Sequence, residues 1–222
     1  MIKIQPYTTK NPISMIGEEA GICYGVNTDD EIKNYQRGLD CLRSGHGRTF
    51  EFPDVYLTIS GYSARVMREW YTHIGGMPTR LQASTRYINY QNGFKYVIPE
   101  TINKNPDALQ AYEKTMTDIV KGLKYLEEIG IPKEDSAMLL PLGMETKVVC
   151  KHNLRNLIDM SHQRMCQRAY REYRELFNEL CETLSAYSEE WKYIVSNYFV
   201  PKCEITGFCV EKKSCHRKPK IA

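Results

Sequence analysis

Apolar residues along this chain recur at two different spacings, and these predict both strands and helices. Val55, Leu57 and Ile59 alternate with polar residues, which predicts a strand over residues 54–60 with one buried face. The longest helical pattern runs over residues 105–129. It begins at Asn-Pro-Asp, a favourable helix start, and carries one continuous apolar stripe, so a long amphipathic helix is expected there.

The remaining patterns complete an expected fold of one α/β domain. Further helices are predicted at 33–42, 62–74, just after Pro132, and from 153 to 198 with one break; further strands are predicted at 86–90, 94–98 and 146–150. We therefore expect residues 1–200 to form a single domain with a mixed central sheet, flanking helices and a long C-terminal helical region. Residues 201–222 are expected to form a Cys- and Lys-rich tail.

Composition narrows the class of protein. The chain has 222 residues, of which 42% are hydrophobic and 26% charged, which is typical of a globular domain with a substantial core. Its formal net charge of +3 is too small to indicate a nucleic-acid partner, but it suits small anionic substrates. No apolar run reaches the roughly 20 residues that span a bilayer, and no apolar signal core begins the chain, so a cytoplasmic location without membrane contact is expected.

The segment around residues 75–87 has the chemistry of an anion site. A Gly75-Gly76 turn precedes Ser84 and Arg86. A guanidinium binds two phosphate oxygens at once, and a hydroxyl group and free backbone amides add neutral donors. A polar strand edge is the alternative interpretation of the same residues.

Several short motifs follow one another in an order typical of one enzyme family. They are Gly45-His46-Gly-Arg48-Thr-Phe-Glu51, Arg68-Glu69-Trp, Gln82-Ala-Ser84-Thr-Arg86-Tyr87, Leu140-Pro141, Asn153-Leu-Arg155, Arg164 and Ala169-Tyr-Arg-Glu172. Over roughly residues 14–185 the chain resembles the flavin-dependent thymidylate synthases. The resemblance implies C5 methylation of dUMP to dTMP, with FAD as cofactor, NADPH and methylenetetrahydrofolate as co-substrates, and a homotetramer with shared sites.

The resemblance also implies residue roles. Arg164 is the implied catalytic residue, whose cation would favour the N3-deprotonated pyrimidine and so activate C5. The implied nucleotide-binding residues are Arg68, Glu69, Gln82, Ser84, Arg86, Tyr87 and Arg164. The implied cofactor-binding residues are His46, Arg48, Glu51, Thr72, His73, Ile74, Asn153, Arg155 and Asp159. Packing roles for His46 and His73 and an ion pair between Arg155 and Asp159 remain alternatives.

The chain departs from the family pattern at charged positions. Thr72-His73-Ile74 replaces the Arg-His-Arg signature, Ala137 replaces an arginine, and Asp159 replaces an asparagine. We hypothesise that Arg48 or Arg80 restores the lost positive charge. Two alternative functions follow from these departures: a related flavin enzyme acting on another uridine nucleotide, or a degenerate, non-catalytic nucleotide-binding protein.

The tail carries a separate candidate site. Cys203, Cys209 and Cys215 recur every six residues, and His216 adjoins the last. Three thiolates and an imidazole suit tetrahedral Zn²⁺, although the spacing is not that of common zinc motifs. Free thiols in a loosely ordered tail are the favoured interpretation, with a zinc site as the alternative.

Overall fold

The computed structural model describes residues 1–221 and contains both helices and strands. The strands are β1 (Ile2–Ile4), β2 (Asp54–Ser63), β3 (Thr79–Gln82) and β4 (Glu145–Asn153). The helices are α1 (Pro12–Cys23), α2 (Glu31–Ser44), α3 (Ala64–Trp70), α4 (Glu100–Asn103), α5 (Pro106–Glu128), α6 (Lys133–Ser136), α7 (Leu154–Arg164), α8 (Arg171–Tyr187), α9 (Glu189–Tyr198) and α10 (Lys202–Thr206). None of these helices is long and apolar enough to cross a membrane.

The sheet has the strand order β1-β2-β4-β3 and is antiparallel. Leu154 N donates to Pro53 O at 2.9 Å, and Ala64 N donates to Met144 O at 2.8 Å, so the start of β2 lies beside the end of β4. The expected α/β class with a long C-terminal helical region is confirmed. A mixed sheet was expected, but neighbouring strands run in opposite directions, because alternating apolar residues encode a strand's faces and not its direction.

The chain divides into two compact units. The first contains residues 1–58, 70–80 and the chain from Val149 onward, and the second contains residues 59–69 and 81–148. The core of the first includes Ile13, Ile16, Leu57, Leu157, Phe177 and Trp191, and that of the second includes Ile59, Met67, Leu123 and Val148. The tail expected at 201–222 belongs to the first unit as far as it is described; Ala222 lies outside the described residues.

Most predicted elements are present, but the predicted strands at 86–90 and 94–98 are wrong. These residues form turns and irregular backbone, with a single bridge between Tyr96 and Met144. The strand in this region is β3 instead, next to β4 in the sheet. A short strand depends on hydrogen bonds to a partner strand, which local propensity does not specify. The helical region after residue 153 is broken twice, before Arg171 and at Ser188, where one break was expected.

Two glycines allow helices α1 and α2 to approach closely. A Cβ atom on Gly17 would lie 1.7 Å from Asn34 O, and one on Gly38 would lie 1.9 Å from Ile13 O. Both contacts are with backbone, which cannot move aside as a flexible side chain can. Glycine is therefore required at this helix crossing.

We expect Gly38→Ala to lower the free energy of unfolding by about 1–3 kcal/mol, the usual cost of overpacking a core. Urea unfolding measures the loss of free energy. Gly47→Ala is the control, because a Cβ atom there would meet only the Arg155 side chain, at 3.7 Å or more. Equal stability of the two variants would contradict the close backbone contact.

Candidate functional site

The Thr72-His73-Ile74 segment directly follows α3 and is held by Arg80. Arg80 Nη1 donates to Tyr71 O at 2.9 Å, and Nη2 donates to His73 O. The guanidinium carbon also lies 5.1 Å from the Tyr71 ring centroid, within cation–π range. Arg80, one of the two arginines expected to replace lost charge, therefore uses its donors to fix the backbone of this segment.

Arg164, at the C-terminal end of α7, is fixed against the same segment. Its Nε donates to His73 Nε2 at 2.8 Å, and its Nη2 lies 3.5 Å from Thr72 Oγ1. Its guanidinium carbon lies 4.5 Å from the ring centroid of Tyr173, a residue of α8. The structure thus brings the predicted catalytic residue together with two of the predicted cofactor residues and holds its cation in one orientation.

His73 is neutral in this arrangement. Its side chain is buried, and burial, followed by the nearby charges of Arg164 and Arg80, lowers the pKa of His73 to about 4. An arginine offers only donors, so Nε2 of His73 must be the unprotonated acceptor and Nδ1 carries the proton. The histidine therefore orients Arg164 without placing a second positive charge beside it.

A buried polar network supports the site from behind. Trp70 Nε1 donates to His152 Nε2 at 2.9 Å, and His152 Nδ1 donates to Asn156 Oδ1 at 2.5 Å. Burial is the main cause that lowers the pKa of His152 to about 4. Trp70 also stacks on Tyr173, with ring centroids 5.8 Å apart. The ring beneath Arg164 is therefore positioned by groups that are themselves hydrogen-bonded and closely packed.

Asn153 connects the start of α7 to the glycine turn. Its Oδ1 accepts from Asn156 N at 2.9 Å and so caps α7, and its Nδ2 donates to Gly76 O at 3.1 Å. Gly76 has φ +71°, and an added Cβ would lie 2.6 Å from the Asn153 amide. This glycine is required both by its backbone conformation and by the close approach of Asn153.

An open cavity of about 540 Å³, which we name the segment cavity, lies beside these residues. It is lined by Thr72, His73, Ile74, Gly75, Asn156, Asp159, His162, Gln163 and Lys202. Four of them are predicted cofactor residues, Thr72, His73, Ile74 and Asp159, and Gly75 belongs to the predicted anion site. The sequence motifs missed Asn156, His162, Gln163 and Lys202; the first three lie within one or two turns of a selected residue on α7, whereas Lys202 lies outside every motif.

The other expected cofactor residues form a separate ionic group. Glu51 accepts from Arg155 at 2.6 Å and from Arg48 at 2.8 Å, and these two contacts lower the pKa of its carboxyl group. Arg155 therefore pairs with Glu51 and not with Asp159. Arg48, the other arginine expected to replace lost charge, is also bound to this carboxylate, and His46 is exposed.

The expected nucleotide-binding residues other than Arg164 belong to the second unit. Gln82 Nε2 donates to Thr146 Oγ1 at 3.2 Å, and Ser84 Oγ accepts from Arg86 N at 3.3 Å. Arg86 forms an exposed ion pair with Glu134 at 3.0 Å. Arg68 and Tyr87 are exposed and Glu69 is half-buried. The exposed side chains of this group are accessible to a ligand.

The tail is folded over its described residues. It contains α10 and a bridge between Cys209 and Lys220, so the loosely ordered tail expected from its composition is not what the structure shows. Cys209 is buried, Cys203 half-buried and Cys215 exposed. Within residues 1–221, no group of three or more His, Cys, Asp or Glu side chains is arranged to hold a metal ion.

Solved structures share this fold. The chain is similar to the crystal structure of a UMP/dUMP methylase, PolB from Streptomyces cacaoi, with a TM-score of 0.74 over 90% of this chain and 96% of that one. The sequence identity is 14%, so this likeness concerns the fold.

The sequence comparisons then identify the family. Residues 6–188 match the family described as thymidylate synthase complementing protein, and the chain belongs to that family. It is 29% identical to the flavin-dependent thymidylate synthase of Pyrococcus abyssi, over 85% of this chain and 76% of the relative. It is 27% identical to that of Geobacter sulfurreducens, over 78% and 77% respectively. The resemblance read from the motifs, and with it the assignment to a methyltransferase class of enzyme, is confirmed.

Proposed function

We propose that this protein methylates C5 of dUMP to give dTMP, with FAD as cofactor, methylenetetrahydrofolate as carbon donor and NADPH as reductant. The observation that supports this most directly is Arg164, a cation fixed by the Tyr173 ring and by His73, which lines the segment cavity. A preorganised cation stabilises negative charge that develops on a pyrimidine ring as C5 becomes nucleophilic. The proposal requires no cysteine nucleophile, and burial raises the pKa of the Cys150 thiol to about 12.

The segment cavity has the chemistry to hold a flavin. Ile74 provides an exposed apolar surface, Lys202 a cation, and the backbone at Gly75 an approach without a side chain. When bound, the flavin supplies hydride transfer between NADPH and the nucleotide. His73 and Arg80 keep the wall of the cavity in place, and Arg164 binds and polarises the pyrimidine.

The assembly in this proposal is a cytoplasmic homotetramer with sites shared between subunits. Large apolar side chains are exposed along one stretch of the chain: Ile74, Met77, Leu81 and Tyr87 are each at least 74% exposed. Exposed apolar side chains of this size suit contact with another subunit. Light scattering of the purified protein measures the mass that distinguishes a tetramer from a monomer. The free thiols of all eight cysteines suit a reducing compartment.

An absorbance titration with FAD followed by dUMP tests the function. We expect a bound-flavin spectrum that shifts when dUMP is added, because both ligands occupy one site, and dTMP formation once methylenetetrahydrofolate and NADPH are supplied. Methylation of UMP in preference to dUMP would favour the alternative of a related flavin enzyme that acts on another uridine nucleotide. Nucleotide binding without any flavin uptake would favour the non-catalytic alternative.

A further inference from the structure

A second cavity lies between the end of α7 and the C-terminal tail. It has a volume of about 340 Å³, and we name it the tail cavity. Arg164, Cys166 and Arg168 line one side, and tail residues, among them Phe208 and Arg217, line the other. The family-model match ends at residue 188, before the tail side of the cavity begins.

The lining of the tail cavity is strongly basic. Five cationic side chains reach it, Arg164, Arg168, Lys202, Arg217 and Lys218, against one carboxylate, Glu211. Lys218 is neutralised by Glu204 at 2.8 Å. Within the described part of the chain, the side chains of Arg168, Lys202 and Arg217 have no hydrogen-bond or ion-pair partner. Cations left uncompensated around one concave surface attract an anion.

The tail cavity adjoins the segment cavity. His162, Gln163 and Lys202 line both. The charge of Lys202 opposes protonation of His162, one of the residues that the two cavities share. The three shared residues make the two cavities neighbours, as an elongated ligand with a ring system and an anionic end requires.

We propose that the tail cavity is a phosphate-binding site in which Arg168, Lys202 and Arg217 hold the phosphate of a nucleotide-type ligand whose ring lies in the segment cavity. The two arginines offer planar forks of donors that match phosphate oxygens, and Lys202 adds a point charge. The identity of the ligand as a reactant rests on the proposed function. Phosphate is common to FAD and dUMP, so the experiment separates these two sources.

Lys202→Gln and Arg217→Gln remove one cation each and are compared with Lys213→Gln. Lys213 is an exposed tail lysine that lines neither cavity, so its replacement makes the same change in net charge elsewhere on the tail. Fluorescence titration measures affinity for FAD and riboflavin, and calorimetry measures affinity for dUMP and deoxyuridine. FAD and dUMP carry phosphate, whereas riboflavin and deoxyuridine lack the phosphate-bearing part.

Either FAD or dUMP should lose affinity in these variants. We expect Lys202→Gln and Arg217→Gln each to lower the affinity for that phosphate-bearing ligand by about 10- to 100-fold, as for loss of a charge-assisted hydrogen bond. The affinity for riboflavin or deoxyuridine should stay within about twofold, since neither presents a phosphate to these cations. Lys213→Gln should change none of the four affinities. Lys202 and Arg217 are exposed, so the fold should survive, and equal melting temperatures verify this.

Equal affinities of all variants for both phosphate-bearing ligands would overturn the phosphate site while leaving the proposed function intact. A wild-type protein that takes up no flavin would instead count against the proposed function, and calorimetry with inorganic pyrophosphate then tests the cavity alone. Pyrophosphate binding that weakens in Arg217→Gln but not in Lys213→Gln would support the site. Absence of pyrophosphate binding to such a protein would overturn it.

Discussion

Replacing Arg164 with glutamine should lower kcat for dTMP formation by about 100- to 1,000-fold, the usual cost of removing one preorganised charge-stabilising donor. The effect should be large because the guanidinium is already oriented by His73, at 2.8 Å, and by the Tyr173 ring, at 4.5 Å. Its contribution therefore requires little reorganisation as negative charge develops on the pyrimidine. Single-turnover formation of dTMP, followed by rapid quench, measures the chemical step.

Two further variants separate charge from geometry. Arg164→Lys keeps a cation but loses the planar donor to His73, so an intermediate rate is expected. Arg171→Gln is the control. It breaks an exposed ion pair within α8, between Arg171 and Glu175 at 2.8 Å. It should change the rate by less than about fivefold, since such pairs contribute little. Wild-type turnover by Arg164→Gln with flavin still bound would show that Arg164 is not a catalytic residue.

Mild acid should destabilise the fold through its buried histidines. Burial holds the pKa of both His73 and His152 at about 4, well below the value of about 6.5 that an unfolded histidine has. Between these two values the unfolded chain binds protons that the folded chain does not, so the free energy of unfolding falls as the pH is lowered. From about pH 7 to about pH 5.5 we expect a loss of about 2–3 kcal/mol from the two residues together.

Urea unfolding at several pH values measures this loss in a range where most carboxylates stay ionised. His152→Gln should be less stable at neutral pH, because the histidine that accepts from Trp70 and donates to Asn156 is replaced. Its stability should nevertheless depend less on pH, and His73→Gln should behave in the same way. His162, whose pKa is also lowered, mainly by burial, adds a smaller contribution of the same sign. A wild-type free energy of unfolding that is constant over this range would show that the two imidazoles are not held neutral.

Local patterns predicted the long helix, its start and the two long strands correctly. Asn105 accepts from Asp107 N and Ala108 N at the start of α5. Val55, Leu57 and Ile59, which alternate with polar residues in the sequence, are buried on one face of β2. These features depend on residues close in sequence, so the sequence contains the information needed to predict them.

Family motifs extended the prediction to parts of the site. They selected Arg164, Thr72 and His73, which the structure brings together over more than 90 positions of sequence. They did not reveal that Arg80 would fix the backbone of the Thr72-His73-Ile74 segment, or that Arg48 would share a carboxylate with Arg155. The role of a charged residue depends on which partner lies beside it in the folded chain, and the sequence motifs do not identify that partner.

By itself, therefore, the sequence determined the long helix α5, the buried face of β2, the family and the cation expected to act on the pyrimidine. Only the tertiary structure decided that residues 79–82 and not 86–90 form a strand, that Tyr173 underlies Arg164, and that Lys202 lines two adjoining cavities. The reason is physical: helix caps and apolar periodicity are local properties, whereas strand pairing, burial and the meeting of distant charges are set by the packing of the whole chain.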